Sequence, residues 1–203
     1  MPDREDIAAI VLAAGSASRF GSDKLLHPVT LRGATLPLAA HSLLPWLETF
    51  ERTTVVVRPG SRRFRETLMT ALGATSTIEL KWLECDDAAL GMAASLACGV
   101  RANRVAAGCL IGLADMPAIP SEAIDGVRNA LLAGADLSAP TSDGRRGHPV
   151  GFGRRYFDEL LALQGDVGAR HLLERDKSKL VPVEIGNKGI HADIDIPSDL
   201  QYL

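Results

Sequence analysis

Between Val11 and Leu26 the chain reads VLAAGSASRFGSDKLL. An apolar run gives way to small residues, and Arg19 and Lys24 follow among the glycines Gly15 and Gly21. Residues of these types in this order suit one chemistry, the holding of an anion. Glycines let the backbone approach a ligand closely and take positive φ, and consecutive N–H groups can then face a negative charge. Arg19 offers a planar fork to phosphate oxygens, and Lys24 a mobile point charge on an exposed loop. Two familiar phosphate loops do not fit. Five residues separate the glycines and Lys24 stands three after Gly21, which breaks the G-x-x-x-x-G-K-[ST] spacing; Ala17 occupies the place of the second glycine in G-x-G-x-x-G. A plain strand-to-helix turn is the competing reading.

Asp115 is the second chemical candidate. It closes the apolar run of GCLIGLADMP, and Pro117 keeps the chain from turning at once into a helix. An aspartate after a strand is commonly a turn or cap residue. Beside a phosphate loop it is placed to hold Mg²⁺, which takes oxygen ligands and bridges substrate phosphates. Other chemistries find little support. There is no G-x-S-x-G elbow and no Ser/His/Asp grouping. Cys85, Cys98 and Cys109 form no C-x-x-C and, with the five histidines, no zinc spacing. An odd, scattered set of thiols fits a reducing compartment and buried structural roles.

The elements that must position these residues alternate. Ile7 to Leu12 reads as a strand covered on both faces, and Pro37 opens a helix that Pro45 should bend or end. TTVVVR (Thr53 to Arg58) and IELKWLE (Ile78 to Glu84) read as strands. Between them lies a helix with Ser61 as candidate N-cap and Gly73 as terminator. GMAASLACGV reads as a helix, GCLIGLADMP as a strand ending in Asp115, and SEAIDGVRNALLAG as a helix. From Asp136, DLSAPTSDGRRGHPVGFG reads as two extended segments around a glycine-rich turn. RRYFDELLAL and DVGARHLLER then read as helices, and KLVPVEI and GIHADI as short strands. This βαβα rhythm predicts an α/β fold: a Rossmann-like, mainly parallel, doubly wound sheet with an inserted β-hairpin near the active face. In such sheets ligands sit at the carboxyl ends of the strands, where both candidates fall. Trp46 and Trp82 belong to apolar patterns and read as core residues.

The 203 residues suit one domain, with 46% hydrophobic and 23% charged residues. A net charge of −3 argues against a nucleic-acid or membrane-surface partner. The start, MPDREDIAAIVLAAG, lacks a cationic n-region and a long apolar core, so the expectation is a cytoplasmic protein with no membrane span.

LAAGSASRFGSDK resembles the L-A-A-G-x-S-x-R-x-G-x-x-K signature of the MobA-like nucleotidyltransferases. GMAASLACGV, LADMP, GRRGHPVGF, GDVGAR and DIDIPSDL follow in the order of its MocA-type branch, so the resemblance runs from Ile10 to Leu200. ADMP stands where related branches often show G-D-M-P. The best-known activity of that branch is CTP:molybdenum cofactor cytidylyltransferase. The resemblance implies Mg²⁺-dependent transfer of CMP from CTP to the terminal phosphate of molybdopterin, releasing pyrophosphate. It implies that Leu12, Ala13, Ala14, Gly15 and Ser16 line the nucleotide, with Arg19 and Lys24 on its phosphates and Ser95 near the base or ribose. Asp115 and Asp195 match two metal-holding carboxylates, Asp193 competing with Asp195, and Arg19, Lys24 and Asp115 carry the catalytic role. Gly147 and His148 match an acceptor-side segment; His148 either contacts the pterin or its phosphate or caps a backbone carbonyl. Residues up to about 120 would then serve the nucleotide and 121–203 the acceptor. A recipient molybdoenzyme is a possible partner. Another phosphorylated acceptor, or an inactive nucleotide-binding accessory protein, are the alternatives.

Overall fold

The computed structural model describes residues 7–15, 20, 23–73, 79–165 and 168–202. Its frame is an eight-stranded sheet. In chain order its elements and their neighbours are β1 (Ile7–Leu12), β2 (Pro28–Leu31), β3 (Ala34–Pro37), α1 (Leu38–Thr49), β4 (Arg52–Val57), α2 (Arg62–Leu72), β5 (Glu79–Glu84), α3 (Met92–Ala102), β6 (Gly108–Leu113) and α4 (Ser121–Leu132). They continue with β7 (Leu137–Ser142), β8 (Arg145–Arg146), β9 (Val150–Gly153), α5 (Phe157–Leu161), α6 (Arg170–Arg175) and β10 (Leu180–Glu184). The strand order is β10-β7-β9-β6-β1-β4-β5, with β8 on β7. All pairings in that sheet are parallel except those of β8 and β9.

β1 is the hinge of this order. Leu12 faces Val56 of β4 on one side and Leu113 of β6 on the other. The chain leaves β1 towards β4 and β5, then returns to β6 on the opposite side. A crevice opens at such a reversal, at the carboxyl ends of the strands. The apolar run of β1 is continuous because both its faces are covered. Ile7, Ala9 and Val11 pack with Leu43, Trp46, Ile124 and Val127 of α1 and α4. Ile10 and Leu12 pack with Leu96 and Val100 of α3 and with Phe157 and Leu160 of α5.

Several local expectations change. α1 passes through Pro45 to Thr49 instead of ending there. Pro45 costs the helix an N–H bond, about 3 kcal/mol. Burial of α1 against the sheet, through Ala39, Ala40, Leu43 and Trp46, offsets that cost. One of these contacts is close: a Cβ on Gly112 of β6 would collide with the Trp46 indole. Ser61 precedes α2 but makes no capping bond, whereas Gly73 ends that helix at φ +70°. The strand expected to reach Asp115 stops at Leu113. GIHADI is not a strand; Lys188–His191 form a 3-10 turn. Trp82, on edge strand β5, is only half-buried, and Cys98 is less buried than Cys85 and Cys109. Ile78 and the start of DVGARHLLER lie outside the described residues.

The expected hairpin is β7–β8, turning at Asp143 (φ +52°) and Gly144 (φ +71°). A second, separate hairpin is β2–β3. It turns at Arg32 and Gly33, both with positive φ, the geometry that matches strand twist in a two-residue loop. His41 of α1 hydrogen-bonds the Val29 carbonyl, and Leu38 donates to the His27 carbonyl, which fastens this hairpin to the helix.

Candidate active site

Lys24 begins a 3-10 turn just before β2. Its residue is 8% exposed, so the exposed-loop expectation is corrected: the side chain is buried between two carboxylates. Nζ donates to Asp115 Oδ2 at 2.9 Å and to Asp195 Oδ1 at 3.5 Å. Two residues from distant parts of the sequence therefore meet around one ammonium. Asp115 arrives on the short loop after β6, where the Ala114 N–H donates to the Leu12 carbonyl. Asp195 is brought in by its neighbour. The Ile194 N–H donates to the Asp115 carbonyl at 3.0 Å, and the Ile194 side chain is buried against Phe20, Val29 and Leu38. Asp199 then fixes the segment, its carboxylate accepting from the N–H groups of Asp195 and Ile196. Those two bonds hold the Asp199 carboxyl below the usual carboxylate range.

This trio stands in the wall of a cleft of about 680 Å³. Leu12, Ala13, Ala14 and Gly15 form one side and Ser95 of α3 another. Gly15 does not take positive φ; a Cβ there would meet nothing within 4 Å. What Gly15 supplies is open space on the cleft side. Ala14 is 2% exposed and packs into the core beneath α3, so its methyl borders the cleft without protruding into it. Gly91, at φ +119°, makes the sharp entry into α3 that only glycine accepts readily.

The sequence model of the MobA-like NTP transferase domain matches residues 9–180. The chain belongs to the MobA-like NTP transferase family. No curated protein sequence matches it. Solved structures of this fold include Rv0371c from Mycobacterium tuberculosis H37Rv, at TM-score 0.75 and 23% identity, over 97% of this chain and 96% of that one. That protein is also solved in complex with manganese, at TM-score 0.73 and 22% identity, over 97% of each chain. Molybdopterin-guanine dinucleotide biosynthesis protein A from Archaeoglobus fulgidus matches at TM-score 0.62 and 18% identity, over 97% of this chain and 96% of that one. The inositol-1-phosphate CTP transferase from T. maritima matches at 0.69 and 15%, over 95% and 90%. At these identities the likeness is one of fold.

This MobA-like nucleotidyltransferase brings together most of the residues singled out in its sequence. Leu12 to Gly15, Lys24, Ser95, Asp115 and Asp195 all line the cleft. Ser16 and Arg19 lie outside the described residues. Gly147 and His148 do not line it. Gly147 is pressed against Ile190, leaving no room for a Cβ, and the His148 N–H donates to the Ile190 carbonyl. The pair thus clamps the segment that leads to Asp195. Burial, then the nearby Arg146 charge, lowers the His148 pKa, against the opposing pull of Asp115 and a hydrogen bond with the Ile111 backbone. Its imidazole is neutral at pH 7. Asp193 lines a neighbouring hollow of about 510 Å³ that also touches Asp195. Burial, and the charges of Asp195, Asp115 and Asp199, push its carboxyl up, although its own backbone hydrogen bond opposes this.

Arg58, Asp86 and Met92 line the cleft too and were missed. The signal was present: Arg58 and Asp86 follow β4 and β5 at their carboxyl ends, as Asp115 follows β6.

Among the described residues, no helix is long and apolar enough to cross a membrane, and no group of three or more His, Cys, Asp or Glu side chains is arranged to hold a metal.

Proposed function

We propose that the cleft binds CTP and that the protein transfers CMP to the terminal phosphate of a molybdopterin-type acceptor, in the cytoplasm, releasing pyrophosphate. One observation supports this above the others. Lys24, Asp115 and Asp195 converge at the wall of a cleft at the reversal point of the sheet. Two carboxylates that already clasp the Lys24 ammonium form an oxygen-only donor set suited to a second cation, which fits Mg²⁺. Asp115 and Asp195 would hold it, with the remaining ligands drawn from phosphates and water. Held there, Mg²⁺ would offset negative charge on the nucleotide phosphates.

The chain's own groups have simpler tasks. Lys24 stabilises charge developing on the α-phosphate and the departing pyrophosphate. Leu12 to Ser16 position the nucleotide, with Ser95 at the base or ribose and Arg19 on the phosphates. An acceptor phosphate oxygen attacks the α-phosphorus in line. The new P–O bond forms as the bond to pyrophosphate breaks, and pyrophosphate keeps the electron pair. The attacking group is already an anion, so no protein base is required. In this reading the molecule is one domain, but its halves do not divide the work cleanly. Asp195 belongs to the acceptor-side part, 121–203, and serves the nucleotide cleft. Gly147 and His148 belong to the acceptor side, and a recipient molybdoenzyme collects the product.

The test is pyrophosphate release from purified protein with Mg²⁺, CTP and molybdenum cofactor. The expected result is turnover with CTP exceeding that with GTP. Turnover only with another phosphorylated acceptor would replace the molybdopterin assignment. Absence of turnover with every acceptor, with nucleotide binding intact, would support the accessory-protein alternative.

A further inference from the structure

Arg58 leaves β4 at its carboxyl end and lines the cleft opposite no acidic partner. Its Nε donates to the Ala14 carbonyl at 2.7 Å. No carboxylate among the described residues pairs with it. Among the described residues Arg32 and Arg154 likewise bond only backbone carbonyls, but neither lines the cleft as Arg58 does. Lys24, the other cation described in the cleft wall, is shared by two carboxylates. Asp86 also lines the cleft, yet Arg58 does not turn to it.

We propose that Arg58 is a further nucleotide-binding residue and that the group it meets is the polyphosphate; this rests on the reading of the cleft as a nucleotide site. The charge balance of the described walls favours it. Asp86, Asp115 and Asp195 face Lys24 and Arg58. A polyphosphate entering such a cleft needs a cation whose charge is not already consumed, and Arg58 supplies one. One of its five N–H groups is spent on the Ala14 carbonyl. That bond tethers the guanidinium to the nucleotide loop and orients its plane, so less freedom is lost when the terminal amino groups take phosphate oxygens. The same bond ties the far wall of the cleft to the loop that begins at Ala13.

The experiment is calorimetric binding of CTP, GTP, UTP, ATP, inorganic tripolyphosphate and cytidine to wild type, Arg58→Met and Arg58→Lys, each checked for an unchanged Tm. Arg58→Met should weaken CTP and tripolyphosphate by roughly tenfold or more, the scale of one charge-assisted hydrogen bond, and leave cytidine unchanged. Arg58→Lys keeps the charge but not the fork and should fall between. Equal losses for CTP and cytidine would make Arg58 a brace for the loop and overturn the inference, as would no loss for either. A wild type that binds all four triphosphates alike, with the Arg58 loss intact, supports the inference and overturns the cytidylyl reading. A wild type that binds no nucleoside triphosphate overturns both.

Discussion

Two clusters of charge in this protein use the same ingredients in different proportions. At the cleft, one cation, Lys24, sits between two carboxylates, Asp115 and Asp195. Beside α5 and α6, Asp176 accepts from Arg175, Lys179 and the Tyr156 hydroxyl, and Arg175 also donates to Glu159, so two cations meet two carboxylates. The second cluster is satisfied by its own chain, with Asp176 at its centre 8% exposed. The first sets Lys24 against two carboxylates that reach solvent, and it opens on a cleft. Asp115 and Asp195 side chains are 26% and 53% exposed. A saturated cluster needs nothing further and holds the fold together. A cluster whose carboxylates open on a cleft is suited to receiving a cation. The exposure of the carboxylates separates the two roles better than counting salt bridges does.

The largest effect expected from breaking this contrast is at Asp115. Asp115→Asn keeps the shape and removes one of the two carboxylate charges beside Lys24. Turnover should fall by roughly two orders of magnitude or more, and the Mg²⁺ concentration needed for half-maximal pyrophosphate release should rise. An unchanged Mg²⁺ titration would remove Asp115 from the metal site. Lys24→Ala comes next, with a loss of about two orders of magnitude in turnover. Because Lys24 is buried between two carboxylates, this variant should also lower Tm, and Mg²⁺ should restore part of that loss. Thermal scans with and without the ion check both points.

Asp176→Asn should do the reverse, lowering Tm at neutral pH while leaving kcat/KM for CTP unchanged. The bonds from Arg175, then Lys179, hold the Asp176 carboxyl well below its usual range in the folded protein. Its stabilisation is therefore fully present above the unfolded value, about pH 4, and is lost as pH falls below that. The Tm gap between wild type and Asp176→Asn should close on acidification. Asp199→Ala removes the acceptor for two backbone N–H groups beside Asp195. A roughly threefold to tenfold loss of turnover is expected, the scale of one or two lost hydrogen bonds, without a large change in Tm. Ala14→Gly should have the smallest effect. Its buried methyl only borders the cleft, so the CTP-to-GTP ratio of kcat/KM should shift by less than about tenfold, within the reach of one methyl group.

The sequence made the open cluster easier to find than the one around Asp176. The carboxyl ends of strands are where an α/β sheet displays chemistry, and β1 and β6 announce themselves as unbroken apolar runs. Asp115 and Lys24 could therefore be read as partners for an anion and a metal. That Asp195 joins them around one ammonium has no local signature, because its position depends on Ile194 burying itself beside Phe20. GIHADI fails as a strand for a related reason: Gly189 is held so close to the Ala118 carbonyl that a Cβ would collide. Close tertiary approach overrides the β-like composition there. Pro45 misleads in the other direction, since local propensity counts a broken hydrogen bond but not the sheet that α1 covers. Asp176 lies in RHLLERDKSKL, which looks like ordinary surface charge; only burial beneath Tyr156 makes it structural.

The collision that a side chain at Gly112 would suffer against Trp46 has a consequence for how this protein can change over time. The indole occupies the volume that a β6 side chain would fill, so the two positions share one space. Neither can be altered alone without penalty: a larger residue at 112 strikes the ring, and a smaller one at 46 leaves a hole. Drift in lineages of this protein is therefore confined to paired, compensatory steps, a small residue at 46 accompanying a large one at 112. Two residues after Gly112 the chain reaches Ala114, and then Asp115. Substitutions that swap that volume between helix and strand would shift the backbone carrying the aspartate, so ancestry at this pair should constrain catalysis without either residue touching a ligand.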